Sequence, residues 1–205
     1  MNKIKTVPKY FLENIVSPAC SNNEKIIEAF KNTPRAFFVS EGMEAKAYED
    51  KALPIGMGQT ISQVTTVAHM LHILELEKTD NVLEIGAGSG FVTALLSRLV
   101  NRVYAVERIP QLMEQARNVI KSLRIINVSM KTDDGAKGWK EFAPYNKIIA
   151  SAKATKLPVD LVEQLAENGI LLIPINNTLM KYKKENGNII EEKGIPVSFV
   201  DFVGS

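Results

Sequence analysis

The stretch Leu83-Glu84-Ile85-Gly86-Ala87-Gly88-Ser89-Gly90-Phe91 holds the densest run of residues able to shape a ligand site. A short apolar run passes through three glycines into a helical pattern. Glycines let a ligand approach the backbone near a helix N-terminus, where free N–H groups face negative charge. In a dinucleotide fingerprint, G-x-G-x-x-G, the third glycine would fall at 91, and that residue is Phe91. Here Gly86, Gly88 and Gly90 read G-x-G-x-G, with Glu84 two residues before them. The pattern suits a ligand carrying a carboxylate and an ammonium better than a pyrophosphate. Backbone N–H groups would meet the carboxylate and Glu84 the ammonium. A purely structural turn is the alternative.

Two more acidic positions follow. Glu107 ends the run Val103-Tyr104-Ala105-Val106, 17 residues after Gly90. That is near the spacing at which an acidic side chain meets ribose hydroxyls in nucleotide-binding α/β folds. A carboxylate can accept both hydrogen bonds of a vicinal diol; surface pairing with Arg102 or Arg108 is the competing role. In Thr132-Asp133-Asp134-Gly135, Asp134 could accept from an adenine amino group while Gly135 leaves room for the ring. An ordinary Asp-Gly turn would look the same. Trp139 is expected to pack on the sheet.

The elements that must position these residues alternate from Asn81 onward. Strands are expected at Val82–Ile85, Val103–Val106, Asn127–Met130, Lys147–Ala150 and Ile170–Ile173. Helices run through Ala94–Leu99, from Pro110 through Leu123, and from Pro158 to a stop at Gly169. Asn186-Gly187 is a hairpin signal between Leu179–Lys183 and Ile189–Glu191, and a last strand is expected at Val197–Val203. Strand-helix alternation followed by a hairpin predicts an α/β fold, mostly parallel with antiparallel strands at one side. Upstream lies a helical prelude, with a capping-box pattern at Ser21-Asn22-Asn23-Glu24 and a helix over Gln63–Leu74. Between them, residues 34–59 are rich in Gly and Pro and read as a long, mostly irregular segment.

Composition narrows the function classes. The chain has 205 residues, enough for one well-buried core, with 45% hydrophobic and 23% charged residues. Lys plus Arg is 25 and Asp plus Glu is 23, a net charge of +2 that does not argue for nucleic acid or an anionic membrane as partner. Lys181, Lys183 and Lys184 sit among Glu185, Glu191 and Glu192 and read as a solvated hairpin face. The lone Cys20 excludes an intrachain disulfide and fits a reducing, cytoplasmic setting. No signal peptide or membrane span is recognisable. The two histidines, His69 and His72, lack further ligands at metal-binding spacing, so no metal is expected.

With Leu53-Pro54-Ile55-Gly56-Met57-Gly58-Gln59-Thr60-Ile61-Ser62 added, the whole resembles the protein-L-isoaspartate O-methyltransferases, from about Pro34-Arg35-Ala36-Phe37-Phe38-Val39 to Phe199-Val200. The glycine motif is common to many methyltransferases; Gly58-Gln59-Thr60-Ile61-Ser62 is specific to this family. Ala47-Tyr48-Glu49-Asp50, Val103 to Ile109, Asp134 to Trp139 and Ala143-Pro144-Tyr145 also match. The sequence departs from the family pattern at Val64, usually proline, Asn146, usually aspartate, Ser151, usually threonine, and Asn176-Asn177, usually glycine-rich.

The resemblance implies a Rossmann-like methyltransferase fold in a single domain over 1–205. Its parts would be a helical, substrate-covering segment (1–78), a cofactor-binding core (79–175) and C-terminal strands (176–205). It implies S-adenosylmethionine as cofactor, held by Gln59, Thr60, Ile61, Glu84, Gly86, Gly88, Gly90, Glu107, Asp134 and Gly135, with S-adenosylhomocysteine as product. The implied substrates are damaged peptides and proteins carrying L-isoaspartyl residues, methylated on the free α-carboxylate. A carboxylate is already an anion at neutral pH and needs no general base. Ser62 is then the hydroxyl that holds it, with Thr60 as helper; an N-cap for the helix near Gln63 is its alternative role. Three other functions are carried forward: a methyltransferase of the same fold with another substrate, a silent module that binds S-adenosylmethionine, and a nicotinamide-dependent oxidoreductase.

Overall fold

The structure is a computed structural model describing residues 6–199. The chain opens with a helical run of α1 (Lys9–Phe11), a π turn (Leu12–Val16) and α2 (Ser17–Ala19), followed by α3 (Glu24–Lys31). Phe11, Val16 and Cys20 are buried in one cluster with Phe30 and Tyr48, so this prelude packs on the core. The capping box expected at Ser21 does not form. Asn23 is the N-cap, and its side chain accepts from the amides of Lys25 (3.1 Å) and Ile26 (3.4 Å). Ser21 and Asn22 take φ of 52° and 59° and make the turn between helices, which puts Ser21 out of capping position.

Residues 34–59 are more ordered than their Gly and Pro content predicts. Two 3-10 turns, Arg35–Phe37 and Glu44–Lys46, lead into an antiparallel pair, β1 (Leu53–Gly56) and β2 (Gln59–Ile61). Helix α4 (Val64–Ile73) falls within the expected 63–74.

The central sheet then follows: β3 (Asn81–Ile85), α5 (Phe91–Leu99), β4 (Arg102–Glu107), α6 (Pro110–Ser122), β5 (Val128–Thr132), β6 (Tyr145–Ala150), α7 (Val159–Glu163), β7 (Leu165–Ile175), β8 (Thr178–Glu185) and β9 (Asn188–Pro196). Strand order is β5-β4-β3-β6-β7-β8-β9. Strands β3 to β7 pair in parallel, and β8 and β9 add antiparallel strands at one side. The chain winds outward from β3 to β5 and returns to β6 on the other side of β3. A crevice must therefore open at the carboxyl ends of β3 and β6, where ligands of open α/β sheets collect. Alternation along β3 sends Val82 into the core with α4 and α5, and Leu83 and Ile85 into a second core with Tyr104, Tyr145 and Trp139. Trp139 does pack on the sheet, its ring edge-on to Tyr104 at 5.8 Å.

Two expectations fail at the C-terminal side. The helix opened by Pro158 ends at Glu163, not Gly169, and β7 begins at Leu165. Pairing with β6 wins over the helical pattern: Tyr145 N–H donates to the Gln164 carbonyl (2.8 Å), Leu165 pairs with Tyr145, and Ile170 with Lys147. The extra residues form a bulge in which Asn168 has φ of 61°, and a Cβ on Gly169 would lie 2.8 Å from the Ala166 carbonyl oxygen. Only glycine fits there. The hairpin signal holds, with φ of 51° at Asn186 and 75° at Gly187. Val197–Phe199 are not a strand, and the rest of the expected last strand lies outside the described residues. The lysines of this hairpin are paired rather than freely solvated: Lys181 reaches Glu75 at 2.7 Å and Lys183 reaches Glu185 at 2.5 Å.

Candidate active site

A cavity of about 310 Å³ opens at the carboxyl ends of β3, β4 and β6, beneath residues of the β1–β2 pair. Gln59, Thr60, Ile61, Ser62, Gly86, Gly88, Glu107, Asp134 and Gly135 line it together. Glu84 and Gly90 do not.

The glycine loop is fixed by its strands. The amides of Gly86 and Ala87 both donate to the Val106 carbonyl (2.8 and 3.2 Å), and Gly86 and Gly88 have φ of 83° and 54°, a region that side chains with a Cβ avoid. Gly90 has a different reason to be glycine. It starts α5 at φ 83°, and a Cβ there would sit 3.2 Å from the Cβ of Ala116 on α6, so it permits helix packing.

Glu107, 6% exposed, is locked at the end of β4. Its Oε2 accepts from Gly88 N–H and its Oε1 from Ile109 N–H, both at 2.9 Å. Each oxygen keeps further acceptor capacity. Of the two surface partners considered for it, Arg102 instead donates to Ser129 Oγ (3.0 Å) and lies over the Tyr104 ring, while Arg108 lines the cavity. Asp134 uses one oxygen to accept from Ala136 N–H (3.0 Å), capping the turn Gly135–Lys137 at the cavity wall.

Glu84 lies elsewhere. Its neighbours alternate toward the second core, so Glu84 points to α5, where Oε2 accepts from the Thr93 hydroxyl at 2.6 Å. The other oxygen is buried without a partner. Burial pushes this carboxyl up to about 8, and the nearby charge of Glu107 adds to the rise. Its position, against Thr93 and outside the cavity lining, therefore corrects the expectation that Glu84 faces the ammonium of a bound ligand.

Ser62 lines the cavity and does not cap α4. The N-cap is Gln63, whose side chain accepts no bond from the helix's own amides. The capping acceptor comes from a distant loop: Asp50 Oδ1 accepts from Thr65 N–H, and its Oδ2 from Thr65 Oγ1 and Gln63 Nε2, all at 2.9 Å. Sequence reasoning missed Asp50 and Arg35 as site-building residues. Both stand in stretches that carry the family resemblance, Pro34 to Val39 and Ala47-Tyr48-Glu49-Asp50, but neither stretch marked a role for them. It also missed Ile55, Ile109, Leu112 and Ala152 in the wall. Of the departures from the family pattern, only Ser151 lines the cavity; its N–H donates to the Ile85 carbonyl at 2.8 Å. Asn146 accepts from Asn81 N–H (2.8 Å) at the far end of β3, and Val64 is buried in the core.

The family model for protein-L-isoaspartate(D-aspartate) O-methyltransferase matches residues 8–205. The chain belongs to this family. Among its relatives are proteins named protein-L-isoaspartate O-methyltransferase from Desulfotalea psychrophila and Methanococcus maripaludis. The first is 45% identical over 182 residues, covering 87% of this chain and 85% of the relative. The second is 41% identical over 199 residues, covering 94% of each. A Plasmodium falciparum family member solved in complex with S-adenosyl-L-homocysteine superposes with a TM-score of 0.85 at 26% identity, covering all of both chains. The family fold is the one the strand order shows: a mostly parallel sheet with antiparallel strands at its C-terminal side. Among the described residues no group of His, Cys, Asp and Glu could hold a metal ion, and no helix is long and apolar enough to cross a membrane.

Proposed function

We propose that this chain transfers a methyl group from S-adenosylmethionine to the free α-carboxylate of L-isoaspartyl residues in damaged peptides and proteins, the step that starts their repair. The observation that carries this reading is a shared wall. Gln59-Thr60-Ile61-Ser62, the stretch specific to the family, lines the same cavity as the glycine loop and Glu107. The residues present fit the cofactor: Glu107 is held by two backbone amides with acceptor capacity left for a ribose diol, and Asp134 and Gly135, in the same cavity wall, would accept from and make room for an adenine. When bound, the cofactor supplies an electrophilic methyl group and a neutral thioether leaving group.

The residues of the chain have the remaining work of placement. Ser62 donates its hydroxyl to the substrate carboxylate, with Thr60 beside it. The carboxylate needs no base, so catalysis rests on orientation and exclusion of water, and orientation alone contributes roughly 7–11 kcal/mol in favourable systems. The β1–β2 pair covers the site; a Cβ on Gly88 would lie 3.4 Å from Ile55 Cδ1 of β1. The near-balanced net charge of +2 supports peptides rather than nucleic acid or membrane surfaces as partners, and the buried free thiol of Cys20 supports a cytoplasmic setting. We read 1–205 as one domain, supported by the burial of Phe11 and Val16 in the same cluster as Val82 and Leu95.

The product chemistry tests the reaction type. A methyl ester next to an isoaspartyl amide cyclises to a succinimide and expels methanol, so label transferred to peptide is expected to leave as volatile methanol in mild base. Label that stays on the peptide would point to the same fold acting on another group.

A further inference from the structure

We propose that Arg35 and Asp50 form a two-sided clamp that positions Ser62 for methyl transfer, an inference that rests on the reading of Ser62 given above. Arg35 is fully buried, yet the hydrogen bonds found for its guanidinium among the described residues go to no carboxylate. It donates instead to backbone carbonyls: Nη1 to Ala47 (2.8 Å) and Glu49 (3.4 Å), Nη2 to Lys51 (2.9 Å) and Ser62 (2.8 Å). Burying a guanidinium is costly unless its donors are satisfied; among the described residues Arg35 Nε has no partner, so the bonds of Nη1 and Nη2 offset only part of that cost. Burial indeed holds its pKa down, to about 10, while the charge of Asp50 works in the opposite direction. A residue needed only for packing would be apolar here. What an arginine adds is a rigid fork that fixes several carbonyls at once.

One of those carbonyls belongs to Ser62. The loop that Arg35 gathers, 47–51, contains Asp50, whose carboxylate accepts from Gln63 Nε2, one residue after Ser62, and from Thr65 N–H and Oγ1, three residues after it. Ser62 is thus held on its carbonyl side by Arg35 and on its helix side by Asp50. Its own side chain is left at the cavity wall. A hydroxyl on a short linker between β2 and α4 would otherwise share the motion of both, and small misplacement at a reacting centre is expensive in rate. Both residues act through Ser62 and neither lines the cavity; they are positioning residues.

The test uses Asp50, because truncating fully buried Arg35 leaves carbonyls unsatisfied and can prevent folding. Asp50→Ala is expected to lower kcat on an isoaspartyl peptide about tenfold, with affinity for S-adenosylhomocysteine within about twofold. Asp50→Asn, which keeps the acceptor for Thr65 N–H, should recover most of that rate. In a Ser62→Ala background, Asp50→Ala should cost almost nothing more, since the group it positions is gone. Amide exchange over 59–63 in the product-bound enzyme should quicken in Asp50→Ala. Losses that add across the double mutant, unchanged exchange, or a less stable Asp50→Ala with wild-type kcat would each overturn the clamp. A wild-type enzyme that ignores isoaspartyl peptide would count against the substrate reading instead, and the exchange measurement would still decide the clamp.

Discussion

Ser62→Ala is expected to slow turnover on an isoaspartyl peptide roughly tenfold to a hundredfold, the loss of one hydrogen bond to an anion in the transition state. Affinity for S-adenosylmethionine should stay within about twofold, so the deficit appears in the peptide step. The structure sharpens this comparison. Had Ser62 been the N-cap of α4, the same change would cost about 1 kcal/mol of stability and leave the rate alone. Asp50 supplies the capping acceptor, so Ser62→Ala should melt close to the wild-type temperature. Ser62→Thr keeps a hydroxyl but adds a methyl group at the cavity wall, and should be stable and slow. A fully active Ser62→Ala enzyme would move the search for the carboxylate's partner to Thr60.

Glu107→Ala should weaken S-adenosylmethionine by about 1.5–3 kcal/mol, the range for hydrogen bonds to a charged group. The change removes the acceptor for a diol and also frees the amides of Gly88 and Ile109, which hold the glycine loop against β4. Glu107→Gln retains one acceptor oxygen and should fall between wild type and alanine. Calorimetry with S-adenosylhomocysteine on the folded variants reads this directly; unchanged affinity would take Glu107 out of the site.

Local signals carried most of the sheet. Val82–Ile85 and Lys147–Ala150 are short apolar runs bounded by glycine or polar residues, and the strands found there differ by one or two residues. Asn186-Gly187 demands positive φ at both positions, which is why that turn was readable. The failures share a cause, contacts distant in sequence. Nothing local tells that residues 165–169 will be drawn into a bulge by β6, or that Asp50 will cap a helix 15 residues further on. Glu84 shows the limit for sites: its type and spacing were right for an ammonium, but strand alternation turned it into the core toward Thr93. Arg35 was hidden for the opposite reason, since a buried arginine bound to backbone carbonyls leaves no pattern among side chains.

The most direct test of the whole account is a matched pair of peptides differing only in an L-isoaspartyl or a normal L-aspartyl linkage, each incubated with the enzyme and methyl-labelled S-adenosylmethionine. Label is expected on the isoaspartyl peptide and not on its aspartyl twin, with normal aspartyl peptide accumulating from the first as its ester is lost. Equal labelling of both, or none on either with cofactor binding intact, would contradict it.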